Sequence, residues 1–180
     1  MQTTDEPDEP PVRVSAAHGR DAEAIAELLR RNSGEPTLLL QPAGRVLRQI
    51  DEFVVARSRG ESRGENRGEI IGCAQLHEHR PGVFELMSVA VDPEHHGRGV
   101  GRACARACVD RGLGRAPRLL WLATTSPGFF ARIGFVRTSM ATIPFAVLLA
   151  KLGAVVAQPA GRWPAALFGG QIFMRWPNRQ

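Results

Sequence analysis

One segment constrains this chain more than any other. Residues 83–91 form a run that is apolar except for Glu85 and Ser88. Asp92-Pro93 ends it, and His95-His96-Gly97-Arg98-Gly99-Val100-Gly101-Arg102 leads into a helix-patterned stretch. A buried strand that enters a glycine-rich loop, which in turn opens a helix, has few physical uses. Gly97, Gly99 and Gly101 let successive backbone amides face one spot, and a helix N-terminus adds about half a positive charge there. Arg98 and Arg102 sit at the same end, where cations oppose the helix dipole unless an anion is bound. The segment reads as a phosphate site.

Two common phosphate loops are excluded. The chain has no Gly-Lys-Ser/Thr, so it carries no Walker loop. The dinucleotide fingerprint fails as well. Its third glycine would fall on Arg102 counting from Gly97, and on Cys104 counting from Gly99. No acid follows Asp110 to hold a ribose.

The remaining pattern predicts the sheet that carries this segment. Residues 1–11 are acidic and proline-rich and read as a disordered tail, ahead of a single domain over 12–180. A strand is expected at 12–15. A helix follows Asp21 as N-cap and buries Ile25, Leu28 and Leu29. A short helix is predicted over 43–50, then strands over 52–57, 70–79 and 83–91. The next helix covers 99–111, with Gly112 and Gly114 as caps. A buried strand at 119–124 precedes a short helix at 126–133 that has proline in its first turn. A strand at 135–139, an apolar helix at 143–157 and a strand at 170–176 complete the order, which is that of an α/β fold on one mixed sheet. Between the second and third strands, residues 58–69 repeat a Ser/Asn-Arg-Gly-Glu unit three times. Each arginine is matched by a glutamate, so the repeat reads as an expanded hairpin loop.

The central segment resembles the acetyl-CoA-binding core of the GNAT N-acetyltransferases, whose loop pattern is Arg/Gln-x-x-Gly-x-Gly/Ala. His96-Gly97-Arg98-Gly99-Val100-Gly101 matches it, with His96 departing at the first position. Val89-Ala90-Val91-Asp92-Pro93 before it fits, and so does Phe129-Phe130-Ala131-Arg132-Ile133-Gly134-Phe135 after it. The likeness covers about residues 12–139. It is similar in particular to short amino-acid N-acetyltransferases of the N-acetylglutamate synthase type. The residues after Ser139 depart from the polar, lysine-bearing tail expected of a glutamate-binding member.

The resemblance implies the GNAT acyl-CoA N-acyltransferase fold, a mixed, mostly antiparallel sheet flanked by helices. It implies acetyl transfer from acetyl-CoA to the primary amine of a small molecule, an amino acid among the candidates. Main-chain groups of Val89 and Val91 would hold the pantetheine arm, and an amide near Val91 would polarise the thioester carbonyl. His96, Gly97, Arg98, Gly99, Val100, Gly101 and Arg102 would form the cofactor's phosphate site. Glu85 would be the base that deprotonates the amine. Strand alternation puts it on one face with Val83, Met87, Val89 and Val91. Among apolar neighbours its pKa should be raised, which suits a base near neutrality. Many members place a tyrosine at the second aromatic of the short helix, and this chain has Phe130 there and no tyrosine anywhere. The acid for the leaving thiolate would then be water or a hydroxyl such as Ser88, Thr124 or Ser126. Two alternatives stand beside this reading: a non-catalytic acyl-CoA-binding or regulatory module, and a protein or peptide N-acetyltransferase.

Composition narrows the partners. The net charge is +5, and the four acids of the tail, Asp5, Glu6, Asp8 and Glu9, leave +9 on the rest. Lys151 is the sole lysine among 23 cationic side chains, and arginine favours bidentate phosphate or carboxylate partners. The chain shows neither a helix-turn-helix nor a base-stacking platform, so nucleic acid is not expected. His77, His79, His95 and His96 lack metal-ligand spacing, and no metal is expected. Cys104 and Cys108 lie on an apolar stripe and read as buried. Three cysteines make no disulfide framework, and no apolar run is long enough for stable membrane insertion. A cytoplasmic protein is expected. Residues 141–180 form an atypical apolar, basic segment that reads as a lid, a homodimer surface or a membrane-surface helix. An apolar character nearly all round its helix favours burial.

Overall fold

The computed structural model describes residues 12–34, 38, 40–58, 68–156 and 170–177. The acidic tail, residues 59–67 of the repeat, Trp163 and much of the C-terminal segment lie outside the described residues. The strands are β1 (Arg13–Ala16), β2 (Phe53–Arg57), β3 (Ile70–Arg80), β4 (Val83–Val91), β5 (Leu119–Thr124), β6 (Val136–Arg137) and β7 (Ile172–Arg175). They form one sheet in the order β1-β2-β3-β4-β5-β7-β6, antiparallel throughout except for the β4–β5 pair. The helices are α1 (Ala22–Arg31), α2 (Ala43–Arg48), α3 (Val100–Leu113), α4 (Pro127–Ala131) and α5 (Phe145–Val156).

Helices cover both faces, so the central strands are apolar on both sides. On one face Phe53, Val55 and Cys73 pack against Ile25, Leu28 and Leu29 of α1 and Val46 of α2. On the other, Leu76, Phe84 and Leu86 pack against Val100, Cys104 and Cys108 of α3. A third cluster joins Val83 and Trp121 to Ile143 and Val147 at the start of α5. The ends of the repeat meet as a hairpin requires: Ser58 N donates to Glu69 O at 2.9 Å, and Glu69 N donates to Ser58 Oγ at 3.2 Å.

Several expectations are corrected. The alternation expected along 83–91 breaks at Ser88. Cys73 pairs with Ala90 and Gln75 with Met87, so β4 carries one residue more than β3 between those pairs. Ser88 takes a φ of 53°, the left-handed region, and forms a β-bulge. Paired residues share a face, so Glu85 and Met87 lie on the α1/α2 side, whereas Val89 and Val91 pack with the α3 cluster. Asp21 does not cap α1. Its buried carboxylate accepts from His18 N at 2.8 Å and pairs with the Arg57 guanidinium at 2.8 Å, which satisfies it better than helix amides exposed to water. Gly112 sits inside the last turn of α3 rather than capping it, and an added Cβ there would rest 3.5 Å from Leu76. The strand over 135–139 shrinks to Val136–Arg137, because Ser139 caps a following 3-10 turn by accepting from Ala141 N. The apolar helix is not buried all round. Among its described side chains, Val147 is buried, Leu148 packs against the same cluster, and Phe145 and Leu149 are exposed.

Candidate active site

The site follows from where β4 and β5 stop pairing. Their register holds only for Val83↔Leu119, Phe84↔Leu120 and Glu85↔Trp121. Beyond that point the strands diverge, and the bulge at Ser88 turns β4 further aside. A cleft of about 710 Å³ lies there, bounded by residues 85–91 of β4, Leu122 to Thr124 of β5, the start of α3, and Phe129 and Phe130 of α4. That is within the usual size of a small-molecule site.

The glycine-loop end of the cleft is built from backbone. Gly97 and Gly99 have φ of 76° and 77°, and a Cβ on either would meet nothing within 4 Å. Conformation, not crowding, demands glycine at both. Gly101 answers to packing, since a Cβ there would come 3.1 Å from Val91 Cγ2 and 3.6 Å from Phe129 Cζ. Gly99 is the N-cap of α3 and offers no side-chain oxygen, and no acid occupies the first turn. The first amides of α3 therefore lie open at the end of the cleft, as an anion site needs. Arg102 lines the cleft with Gly97, Gly99, Val100 and Gly101, whereas Arg98 is exposed and lies outside the lining. Neither arginine has a carboxylate partner among the described residues.

Val89 and Val91 line the cleft as expected, with one difference. The Val91 carbonyl is already engaged, by Asn32 Nδ2 at 3.1 Å and His96 Nε2 at 3.0 Å. His96 thus reaches back to the strand from the cleft wall while remaining exposed. Asn32 is a residue that the sequence did not single out.

Glu85 lines the opposite end, and its side chain is 3% exposed. Its setting is not the wholly apolar one expected. Oε2 lies 2.8 Å from His79 Nε2. The alternate residues of β3 on that face are Gln75, His77 and His79, and they carry a polar line through the sheet. Ser88 Oγ donates to Gln75 Oε1 at 3.1 Å and accepts from Gln41 Nε2 at 2.9 Å. Gln75 Nε2 donates to Glu52 Oε2 at 2.7 Å, and Glu52 also meets His77 Nδ1 at 3.0 Å. The Glu52 hydrogen bond raises the His77 pKa against the effect of burial. Burial pushes the Glu52 carboxyl up, but hydrogen bonds from His77 and Gln75 outweigh it and leave the pKa lowered. Gln75, placed between the apolar Ala74 and Leu76, was the one signal along the strand that marks this line.

The hydroxyls of Ser88, Thr124 and Ser126 all border the cleft. Thr124 Oγ1 accepts from Ser126 N at 2.9 Å. Phe130 stands edge-on to Phe129 and Phe135 and presents no polar atom. All three cysteines are buried and unbridged. Burial pushes the Cys104 thiol up to about 12 and raises Cys73 and Cys108 as well. Among the described residues no three His, Cys, Asp or Glu side chains gather as a metal site, and no helix is long and apolar enough to cross a membrane.

The sequence model of the Acetyltransferase (GNAT) family matches residues 25–137, which span the sheet core, the glycine loop and α4. The chain belongs to the GNAT acetyltransferase family. As a GNAT member it is an acetyl-CoA-dependent acyltransferase. An uncharacterized N-acetyltransferase of Chlorobaculum tepidum is 25% identical over 122 residues, 68% of this chain and 74% of that one. Among solved structures, Rv2747 of Mycobacterium tuberculosis in complex with CoA superposes with a TM-score of 0.69 at 22% identity, covering 93% of this chain and 99% of that one. N-acetylglutamate synthase of Neisseria gonorrhoeae, solved with coenzyme A and N-acetyl-glutamate, gives 0.72 at 21% identity. That match covers 96% of this chain but only 36% of the synthase chain. The GNAT fold is common to them all.

Proposed function

We propose that this GNAT enzyme transfers the acetyl group to the primary amine of a small molecule, with free amino acids as the leading acceptor class. The observation that carries the reading is Glu85. It is a carboxylate buried at the acceptor end of the cleft, on the strand opposite the end where the α3 amides lie open. A buried carboxylate is costly to keep without a role.

The residues of the cleft fit acetyl-CoA. The open amides of Val100 to Arg102, the left-handed Gly97 and Gly99, and the Arg102 side chain suit its phosphates. The gap between β4 and β5 suits a narrow chain with amide groups. Acetyl-CoA supplies the thioester carbon that the amine attacks. Glu85 takes the proton from the acceptor nitrogen, directly or through one water. The N–C bond forms as the C–S bond breaks, and the sulfur leaves with the electron pair. A thiol has an ordinary pKa of about 8.5, so the thiolate leaves without a phenol and is protonated by water or by a cleft hydroxyl. Likeness to the Mycobacterium and Neisseria structures supports amino acids as acceptors, because the Neisseria synthase was solved with an acetylated amino acid.

One experiment tests the acceptor class. Thiol release from acetyl-CoA is followed with purified protein against each of the twenty amino acids, common amines and peptides. Release with a free amino acid supports the proposal, and release with peptides alone moves the acceptor class to proteins. Binding of acetyl-CoA with no release on any of these amines overturns the proposal. A Glu85→Gln variant that binds acetyl-CoA but loses about 10²–10⁴ in kcat fits the base role.

A further inference from the structure

The buried pair of Glu85 and His79 is not explained by deprotonation alone. A base needs one carboxylate and access to the amine. This one is also tied at Oε2 to an imidazole nitrogen 2.8 Å away, with side chains 11% and 3% exposed. The imidazole is itself held on two sides. Its ring lies nearly parallel to Trp121, with centroids 6.0 Å apart and planes at 28°, and the His77 ring meets it edge-on at 4.6 Å. Trp121 is fully buried and is the register partner of Glu85 on β5. Two side chains thus fix one ring plane, and that ring fixes one carboxylate oxygen.

We infer that His79 is the positioning residue for Glu85: its Nε2–H donates to Oε2 and holds the carboxylate toward the cleft in its charged, proton-accepting form. A donor to the charged carboxylate keeps it ionised inside an apolar wall, where an unpartnered carboxylate would take up a proton and cease to be a base. His77 is drawn to a different carboxylate, since its Nδ1 lies 3.0 Å from both oxygens of Glu52. The arrangement also explains why polar residues recur along β3. Gln75 and His77 share Glu52 and leave His79 free to serve the cleft. The inference rests on Glu85 being the base.

The test uses the full chain and three variants, His79→Leu, His79→Gln and Glu85→Gln, with a mixture of the twenty L-amino acids as acceptor. His79→Leu removes the donor and keeps the bulk. It should lower kcat about ten- to a hundredfold, the effect of losing a hydrogen bond to a charged group, while KM for acetyl-CoA and its thermal stabilisation stay unchanged. His79→Gln places an amide N–H near the position of Nε2 and should restore kcat to within about threefold of the wild type, a rescue that lost packing alone would not give. In ¹H–¹⁵N spectra the wild type should show a slowly exchanging, downfield imidazole N–H, separate from that of the Glu52-bound His77, that either His79 variant removes and Glu85→Gln abolishes. His79→Gln assigns this signal even where His79→Leu fails to fold. Loss of activity in Glu85→Gln with wild-type kcat in His79→Leu overturns the positioning role and leaves Glu85 as base. Wild-type kcat in Glu85→Gln overturns the base and, with it, this inference. Absence of the downfield signal from the wild type overturns the pairing itself.

Discussion

Gly72 ties the interior of the sheet to the glycine-loop end of the cleft, and substituting it tests that tie. A Cβ built at Gly72 falls 2.5 Å from Val100 Cγ1, 3.4 Å from Cys104 Sγ and 3.5 Å from Ala90 O. Carbon atoms in contact rest about 3.5–4.0 Å apart, so Gly72→Ala forces a separation of about 1 Å or more between β3 and the first turn of α3. Val100 is a short β-branched residue, 1% exposed, and its γ-methyl cannot swing clear. The strain should cost about 1–3 kcal/mol, as overpacking does, and lower Tm by roughly 3–10 °C for a chain of this size. The same withdrawal carries the amides of Val100 and Gly101 out of line. Acetyl-CoA should bind about tenfold more weakly, and its stabilisation at fixed concentration should fall by about 1.4 kcal/mol. Melting curves with and without acetyl-CoA measure both effects. The double variant Gly72→Ala/Val100→Ala should be more stable than the sum of the single changes by about 1 kcal/mol. A Gly72→Ala protein that melts with the wild type and keeps its full acetyl-CoA shift refutes the reasoning.

Three further outcomes follow from other contacts. Gly99→Ala should cost about 1–2 kcal/mol through its φ of 77° and weaken acetyl-CoA binding by calorimetry, even though the new methyl touches nothing. Iodoacetamide at pH 8 should leave Cys73, Cys104 and Cys108 unmodified in the native protein and label all three in guanidinium, because burial raises each thiol well above that pH. The Glu52–His77 pair has a pH window of its own. The lowered carboxyl of Glu52 contributes stability above its ordinary 4.5 and loses it as pH falls, while the raised imidazole of His77 contributes below its ordinary 6.5 and loses it as pH rises. The stability difference between wild type and Glu52→Gln should be greatest between those values, at about 1 kcal/mol for a part-exposed pair, and smaller at pH 8 by chemical denaturation.

The strand–loop–helix at the centre of the site was legible because each of its steps has a local cause. Apolar continuity marks β4, Asp92-Pro93 stops it, and the glycines of the loop mark backbone that must turn or approach closely. Trp121 and Leu122 were likewise readable as buried from their run of apolar neighbours. Ser88 was not legible. A bulge depends on how one strand pairs with another, and nothing in Met87-Ser88-Val89 announces an extra residue. That one residue separates Glu85 from Val89 and Val91 by a whole face of the sheet. The partner of Glu85 was missed for a related reason. His79 lies six residues away along the chain, and only the β3–β4 register brings it within hydrogen-bond reach. Asp21 was misread because a helix cap and a buried ion pair ask for the same residue type. The choice between them was made by Arg57, which is distant in sequence.

The order of strands has a consequence for how the cleft comes into being. One wall is β5, and β5 is paired along its far edge with β7, the last strand of the described chain, which also carries β6. During synthesis the glycine loop and α3 are made long before residues 172–175. Until those residues arrive, β5 has three paired residues on one side and an open edge on the other. The glycine-loop end of the cleft is therefore a property of the middle of the chain, whereas a firm second wall is a property of the last described strand. On the function proposed above, loss of that strand would separate recognition of the nucleotide from grip on the group to be transferred.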